Sequence, residues 1–445
     1  MARTTPPSSR SETGDRVRDL QRTLYRAAKA DPTRRFHALS DKLFRRDVLE
    51  RAWDQVRAKR GAAGIDRTTL ADVERYGIDR LLDEIAADLR AKRYRPLPGR
   101  RVWVPKPGTA ERRPLAIPAV RDRIVQAAIK LVSEPIFEAD FRPVSFGFRP
   151  RRTVFDALQV IVDETARGRR WVVETDIASC FEAIPHDRLI AALERRISDR
   201  PLLSLLRAFL RAGVMEAGAV RRPAAGTPQG GVISPLLANV YLHRLDVAWE
   251  RDGEGVLVRY ADDVVVLCRT ETEARAALAR LRDLLAELGL APKEAKTRLV
   301  HVVEGGEGFD FLGFHHRWVR ARRPSVRHVT FLARWPSRQA LSHARERLRE
   351  LTDRSRQRLP VEAIVAEVNL FLRGWTGYFR YGHSARQLDR IRSQTLTRLA
   401  IVVATRHGWR RGRGWVHVAS RGWSRLGLIA LPGTVSPRPF RSWRG

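Results

Sequence analysis

From Val256 the chain reads Val-Leu-Val-Arg-Tyr, then Ala-Asp-Asp, then Val-Val-Val-Leu-Cys. Two short β-branched runs around Tyr260-Ala261-Asp262-Asp263 predict two strands joined by a tight turn. Adjacent aspartates between hydrophobic strands are costly unless water or a cation neutralises them. Taken alone, the segment reads equally well as an exposed Asp-rich turn. A second apolar run, Trp171-Val-Val-Glu-Thr, ends at Asp176. Alone, Asp176 reads as a helix N-cap, because Ser179 and helix formers follow it. Together the two features say more. Three carboxylates at strand ends of one sheet can hold two Mg²⁺ ions, which prefer hard oxygen ligands. Such a pair, roughly 3.5–4 Å apart, stabilises the attacking and leaving oxygens of an in-line phosphoryl displacement.

Charge decides what that site works on. The 445 residues carry 84 Lys+Arg against 50 Asp+Glu, a formal net charge of +34. Only eight of the basic residues are lysine. A GC-rich genome explains arginine over lysine, but not so large an excess. Self-repulsion at this charge asks for a polyanion, and arginine suits bidentate phosphate contacts. An acidic metal site in so basic a chain points to a nucleic-acid polymerase. The other classes recede. Hydrophobic residues make up 43%, enough for a packed core over about two to four domains. Cys180 and Cys268 are the only cysteines, so neither a disulfide framework nor a Cys-rich zinc module is expected. The N-terminal residues lack the apolar stretch of a secretory signal, and Glu12 and Asp15 disfavour a transit peptide. No run of 18 apolar residues exists, so the expectation is a cytoplasmic, nucleic-acid-associated protein without a membrane span.

Along the chain, residues 1–20 read as a loose basic tail, followed by amphipathic helices. Gly61–Asp66 breaks the pattern into a loop. Prolines between 95 and 120 punctuate short apolar pieces and predict a strand hairpin with basic residues at its turn. Residues 170–315 mix helices and strands, and helices return after 335. After Asp389 there is no acidic residue, while twelve arginines and four tryptophans follow. Several residues around the aspartates are candidates with ordinary alternatives. The Gly226–Pro235 loop brings Gln229 to a substrate, or is a plain connection. Lys106, Arg112 and Arg113 bind a triphosphate, or form a solvated turn. Phe181, five residues beyond Asp176, packs under a sugar, or is core. Lys296 is one of two lysines after position 130. It suits proton donation as arginine does not, or is there by chance.

With these residues assembled, the chain from about Gly61 to Leu431 resembles the group II intron reverse transcriptase/maturase family. The Asp176 strand, the GTPQGGVISPLLANVYL segment, the YADD box, the KEAKTRLV segment and FDFLGF follow in the family's order. The resemblance implies an α+β fold: a right-hand polymerase with fingers, a palm on a small antiparallel sheet and a helical thumb, then a small C-terminal nucleic-acid-binding region. It implies Asp176, Asp262 and Asp263 as catalytic aspartates holding two Mg²⁺ ions, with the Ile177 carbonyl as a further ligand. It implies Lys296 as proton donor to pyrophosphate and Phe181 as the gate against a ribonucleotide 2′-hydroxyl. Gln229, Lys106, Arg112 and Arg113 become nucleotide contacts, and Phe311, Leu312 and Gly313 the primer grip. Residues 1–60 would be a basic helical extension, 61–330 fingers and palm, 331–384 the thumb or domain X, and 385–445 the maturase-specific, DNA-binding region. There Trp409, Arg410, Arg411, Arg413 and Trp415 would touch nucleic acid. At the 61–66 loop the family's usual glycine after the aspartate is Arg67, so a turn there is expected to differ. Many relatives add a zinc-dependent HNH endonuclease. With both cysteines in the polymerase region, self-contained target-strand cleavage is not expected.

The leading expectation is an RNA-directed DNA polymerase of bacterial type whose partners are its intron RNA, an RNA template with DNA primer, target DNA and dNTPs. A splicing-only RNA-binding maturase is the alternative from a different class, and the three aspartates argue against it. A domesticated reverse transcriptase in phage defence, DNA repair or CRISPR spacer acquisition stays open at this stage.

Overall fold

Amphipathic periodicity builds the N-terminal third. The computed structural model describes residues 9–105, 112–216, 219–221, 225–227, 230–321, 325, 327–420 and 427–429. Helices α1 (Ser9–Ala30), α2 (Ser40–Leu43), α3 (Arg46–Ala58), α4 (Leu70–Tyr76) and α5 (Ile78–Arg90) precede the first strand. The segment read as a loose tail is therefore helical from Ser9. Its own sequence is polar; docking is what orders it. Val17, Leu24 and Ala28 lie on one face and are buried. Gln21 Nε2 and Lys29 Nζ donate to the carbonyls of Leu131 and Ala139, at 3.0 and 3.2 Å.

The expected hairpin is present as β1 (Gly99–Pro105) and β2 (Arg112–Ile117), antiparallel with Arg100 opposite Ile117. Its turn, with Lys106, lies outside the described residues. Helices α6 (Val120–Glu138) and α7 (Val154–Ala166) follow. The Gly61–Asp66 loop seats on the start of α6: a Cβ on Gly64 would stand 2.5 Å from Ala119 Cα, so only glycine fits. Arg100 Nη2 holds the Ala63 carbonyl at 2.8 Å. The departure at Arg67 is visible in the backbone. Arg67 has φ 59°, so an arginine occupies the left-handed turn that a glycine would take without strain.

The middle of the chain supplies β3 (Trp171–Asp176), α8 (Cys180–Ala183), α9 (His186–Glu194), α10 (Arg200–Arg211), β4 (Val214–Glu216), β5 (Ala219–Arg221), α11 (Ser234–Asp252), β6 (Val256–Tyr260), β7 (Asp263–Cys268), α12 (Glu271–Glu287) and β8 (Arg298–His301). β4 runs parallel to β1 and extends the hairpin sheet to the order β2-β1-β4-β5. β6, β7, β3 and β8 form an antiparallel sheet in that spatial order. Its strands are short and β-branched, and their buried faces split between two hydrophobic clusters. Val173, Val264 and Val266 join the helical core around α6, α9 and α11. Val172, Val258 and Val265 face a second core shared with the C-terminal helices. The sheet is thus clamped on both sides and its strand ends are fixed.

A third sheet, β9 (Phe309–Phe311), β10 (Phe314–Arg320) and β11 (Thr330–Pro336), leads to α13 (Arg338–Leu351), α14 (Val361–Phe379), α15 (Ala385–Arg406) and α16 (Arg411–Ser420). The architecture is the α+β arrangement expected from the sequence: small sheets, mainly antiparallel, between helical layers.

Candidate active site

Strand register gathers the aspartates. Asp176, the last residue of β3, stands directly opposite Asp263, the first of β7. Asp262 is in the two-residue turn with Ala261, and its carbonyl accepts from Ile177 N at 2.9 Å. That bond ties the turn to the end of β3. Ala261 takes φ 58°, Ser179 φ 45° and Leu312 φ 49°, so three loops near the strand ends hold left-handed backbone in residues other than glycine. Such strain persists where surrounding structure over-determines it, commonly at functional sites. Asp176 is not a helix cap. Ser179 is the N-cap residue of α8, and its side chain makes no capping bond.

The electrostatics are those of a site built for a cation. Burial pushes the Asp263 carboxyl well above the usual range, and the charges of Asp176 and Asp262 push it further. Burial also raises Asp262, with Asp176 adding to it; Arg113 and Lys296 oppose the shift. Lys296 lies on a 3₁₀ turn, Glu294–Lys296, and its Nζ donates to Asp176 Oδ2. Burial would lower the Lys296 ammonium, but that bond and the charges of Asp176, Asp263 and Asp262 hold it above its ordinary value. The 3₁₀ turn is itself anchored to β3: Lys293 N donates to the Asp176 carbonyl at 2.7 Å, and the Thr175 and Thr297 hydroxyls meet at 2.7 Å. Among the described residues no group of three or more His, Cys, Asp or Glu is gathered closely enough to hold a metal ion. The chemistry of the donor set is nonetheless that of a hard cation: three carboxylates on adjoining strand ends, mutually repelling, with Lys296 bonded to Asp176.

The surrounding loops are placed by close backbone approaches. Phe181, half-buried on α8, presents its carbonyl to Thr227 N at 2.6 Å. Gly226 has φ 101°, and a Cβ there would stand 2.9 Å from the Glu182 carbonyl. Gly230, with φ 107°, would meet the Ala116 carbonyl of β2 at 2.7 Å. The glycine loop therefore bridges the Phe181 turn and the hairpin sheet. Gln229 lies outside the described residues, as does Lys106. Arg112 and Arg113 are exposed on β2, and the charge of Arg113 works against the upward shift of Asp262. Ile177 is buried beside Pro292 in an isolated bridge.

Phe311, Leu312 and Gly313 form the β9–β10 turn. Tyr378 Oη of α14 donates to the Leu312 carbonyl at 2.8 Å, and Ser337 N to the Gly313 carbonyl at 2.9 Å. In the C-terminal region Trp409 stacks on His407, with centroids 4.5 Å apart, and Arg413 covers its ring at 4.7 Å. Trp409 is thus engaged within the fold, while Trp415, Arg410 and Arg411 are exposed.

Sequence reasoning missed the support beneath the aspartate turn. Arg259, fully buried one residue before Tyr260, pairs with fully buried Asp246 on α11, Nε to Oδ1 at 2.7 Å. It also donates to Asn239 Oδ1, Ser145 Oγ and the Ala261 carbonyl, at 3.2, 2.8 and 3.1 Å. Gly147 packs against this turn so closely that a Cβ would stand 2.5 Å from Ala261 N. One signal was available: an arginine inside the otherwise apolar run before Tyr260.

Two family models match the chain in sequence order. The reverse transcriptase (RNA-dependent DNA polymerase) family covers residues 104–316, and the group II intron maturase-specific domain covers 341–422. Protein YkfC of Escherichia coli (strain K12) is 33% identical over 349 residues, which is 69% of this chain and 89% of that protein. The group II intron-encoded protein LtrA of Lactococcus lactis subsp. cremoris is 38% identical over 204 residues, 46% of this chain and 34% of LtrA. The chain therefore matches about a third of LtrA's length. A solved partial Cas6-RT-Cas1--Cas2 complex shares 27% identity at a TM-score of 0.37, over 56% of this chain and 41% of that one. A reverse transcriptase domain implies a divalent cation as cofactor, in keeping with the charge the carboxylates present. With both domain matches in order and a relative spanned almost end to end, the chain belongs to the group II intron-type reverse transcriptase/maturase family.

Proposed function

We propose that this protein is an RNA-directed DNA polymerase that binds its group II intron RNA, assists splicing and copies the intron into DNA during retrohoming. The observation that carries the chemistry is the register of the palm sheet, Asp176 facing Asp263 with Asp262 one residue before it. Asp176, Asp262 and Asp263, with the Ile177 carbonyl, would hold two Mg²⁺ ions. When bound, these ions supply a lowered pKa at the primer 3′-hydroxyl and counter-charge for pyrophosphate. The remaining work falls to the chain's own residues. The primer 3′-oxygen bonds to the α-phosphorus of a dNTP as the bond from that phosphorus to pyrophosphate breaks. The 3′-hydroxyl proton leaves to solvent. Lys296, which holds a proton beside Asp176, passes it to the departing pyrophosphate and is reprotonated from water. Phe181 would exclude a 2′-hydroxyl. Lys106, Arg112, Arg113 and Gln229 would hold the nucleotide, and the Phe311–Gly313 turn the primer.

The maturase half rests on the match over 341–422 and on the acid-free, arginine-rich sequence after Asp389. Arg410, Arg411, Arg413 and Trp415 would meet intron RNA or target DNA, with Trp409 setting the position of Arg413. The test is splicing of the intron RNA flanking this gene at low Mg²⁺, with and without purified protein. Stimulation is expected; splicing at the same rate without protein would remove the maturase role.

A further inference from the structure

Phe148 lies between α6 and α7 and is 50% exposed, with φ 58°. A bulky residue seldom takes that conformation. Its ring stands 6.5 Å from the Tyr260 ring, tilted by 45°. The backbone beneath it is fixed from several sides. Asn239 Nδ2 donates to the Gly147 carbonyl at 2.8 Å, and Phe146 N to the Arg259 carbonyl at 2.9 Å. Arg149, buried one residue later, donates to the carbonyls of Arg142 and Ser145, at 2.7 and 2.6 Å, and to Glu138 at 2.7 Å. A buried network thus holds an exposed aromatic in a strained conformation beside the catalytic turn, a combination that burial of the ring does not explain.

We propose that Phe148 and Tyr260 form an aromatic ledge that seats the primer–template hybrid, with Phe148 as a positioning residue. Tyr260 immediately precedes the aspartate turn, so the reacting primer end must come close to it. The second ring, 6.5 Å away and tilted by 45°, is within ordinary aromatic contact distance, so the two rings adjoin as one apolar surface. An aromatic face accepts any base or sugar, which suits an enzyme that copies every sequence. The proposal rests on the polymerase reading above.

The test compares wild type with Phe148→Ala, Phe148→Gly and Phe148→Tyr. Two quantities are measured: equilibrium binding of a DNA-primer/RNA-template hybrid by fluorescence anisotropy, and KM and kcat for that hybrid. Phe148→Ala and Phe148→Gly are expected to weaken binding and raise KM about tenfold, the loss of one stacking contact. kcat at saturating hybrid should hold. Phe148→Tyr should restore wild-type behaviour. Phe148→Gly removes the ring and the strain together, so a thermal midpoint at or above wild type separates lost contact from lost fold. Hybrid bound equally by wild type and Phe148→Ala, or no rescue by tyrosine, overturns the proposal. If wild type fails to extend the primer, the polymerase reading falls, and the anisotropy comparison still decides on Phe148.

Discussion

At the residue scale, ionisable groups sit where the fold holds them against their ordinary behaviour. Asp262 and Asp263 do so at the aspartate turn, and His243 and His316 do so in the interior. Burial holds the His243 imidazole down to about 4 and His316 to about 3; Arg142, Arg259 and Arg195 also lower His243 against the pull of Asp246, and Arg334 and His315 also lower His316. In the unfolded chain both return to about 6.5. Between those values the unfolded state binds more protons than the native state, so stability is complete above pH 6.5 and falls as pH drops below it. By pH 5 the expected loss is about 2 kcal/mol for each histidine. Urea midpoints at pH 7.5 and 5 check this: His316→Phe should lose less between the two than wild type, and an equal loss would contradict it. Residue-level chemistry was unevenly legible. Lys296 stood out because lysine is scarce, and it bonds Asp176. The histidines gave no sign, because their state depends on burial by residues distant in sequence.

At the element scale, the β6–β7 hairpin was legible because its β-branched runs and polar turn are local signals. What holds it was not. Arg259 draws its partners from positions 246, 239 and 145, which are 13, 20 and 114 residues away, and contacts made only by folding leave no local trace. Most of α1 was legible from the periodicity of residues 15–30; only its first turns, from Ser9, were read as tail. Asp246→Ala leaves the Arg259 guanidinium buried without its counter-charge. The expected cost is about 3–5 kcal/mol in chemical unfolding, with primer extension lost alongside. A change below about 1 kcal/mol would show that the pair does not carry the turn.

At the scale of the whole molecule, a chain with a net charge of +34 carries three carboxylates together at one set of strand ends. Exposed Arg410, Arg411 and Arg413, on and beside α16, are part of that charge. Replacing all three with alanine should weaken RNA binding and reduce the slope of log affinity against log salt by about 2, at roughly 0.7 per lost single-strand phosphate contact. Extension of a short bound primer should be unchanged. An unaltered slope would place the nucleic acid elsewhere. Composition made the class of partner legible, but not where on the surface it binds. The central claim, however, concerns the palm, and one comparison tests it most directly: extension of a DNA primer on an RNA template with dNTPs and Mg²⁺, by wild type and by Asp262→Ala. Wild type should add nucleotides. The variant should bind the hybrid yet extend it more than about a hundredfold more slowly, since loss of a ligand should exceed the tenfold to hundredfold effect of residues one step removed. Equal extension by both proteins would contradict the account.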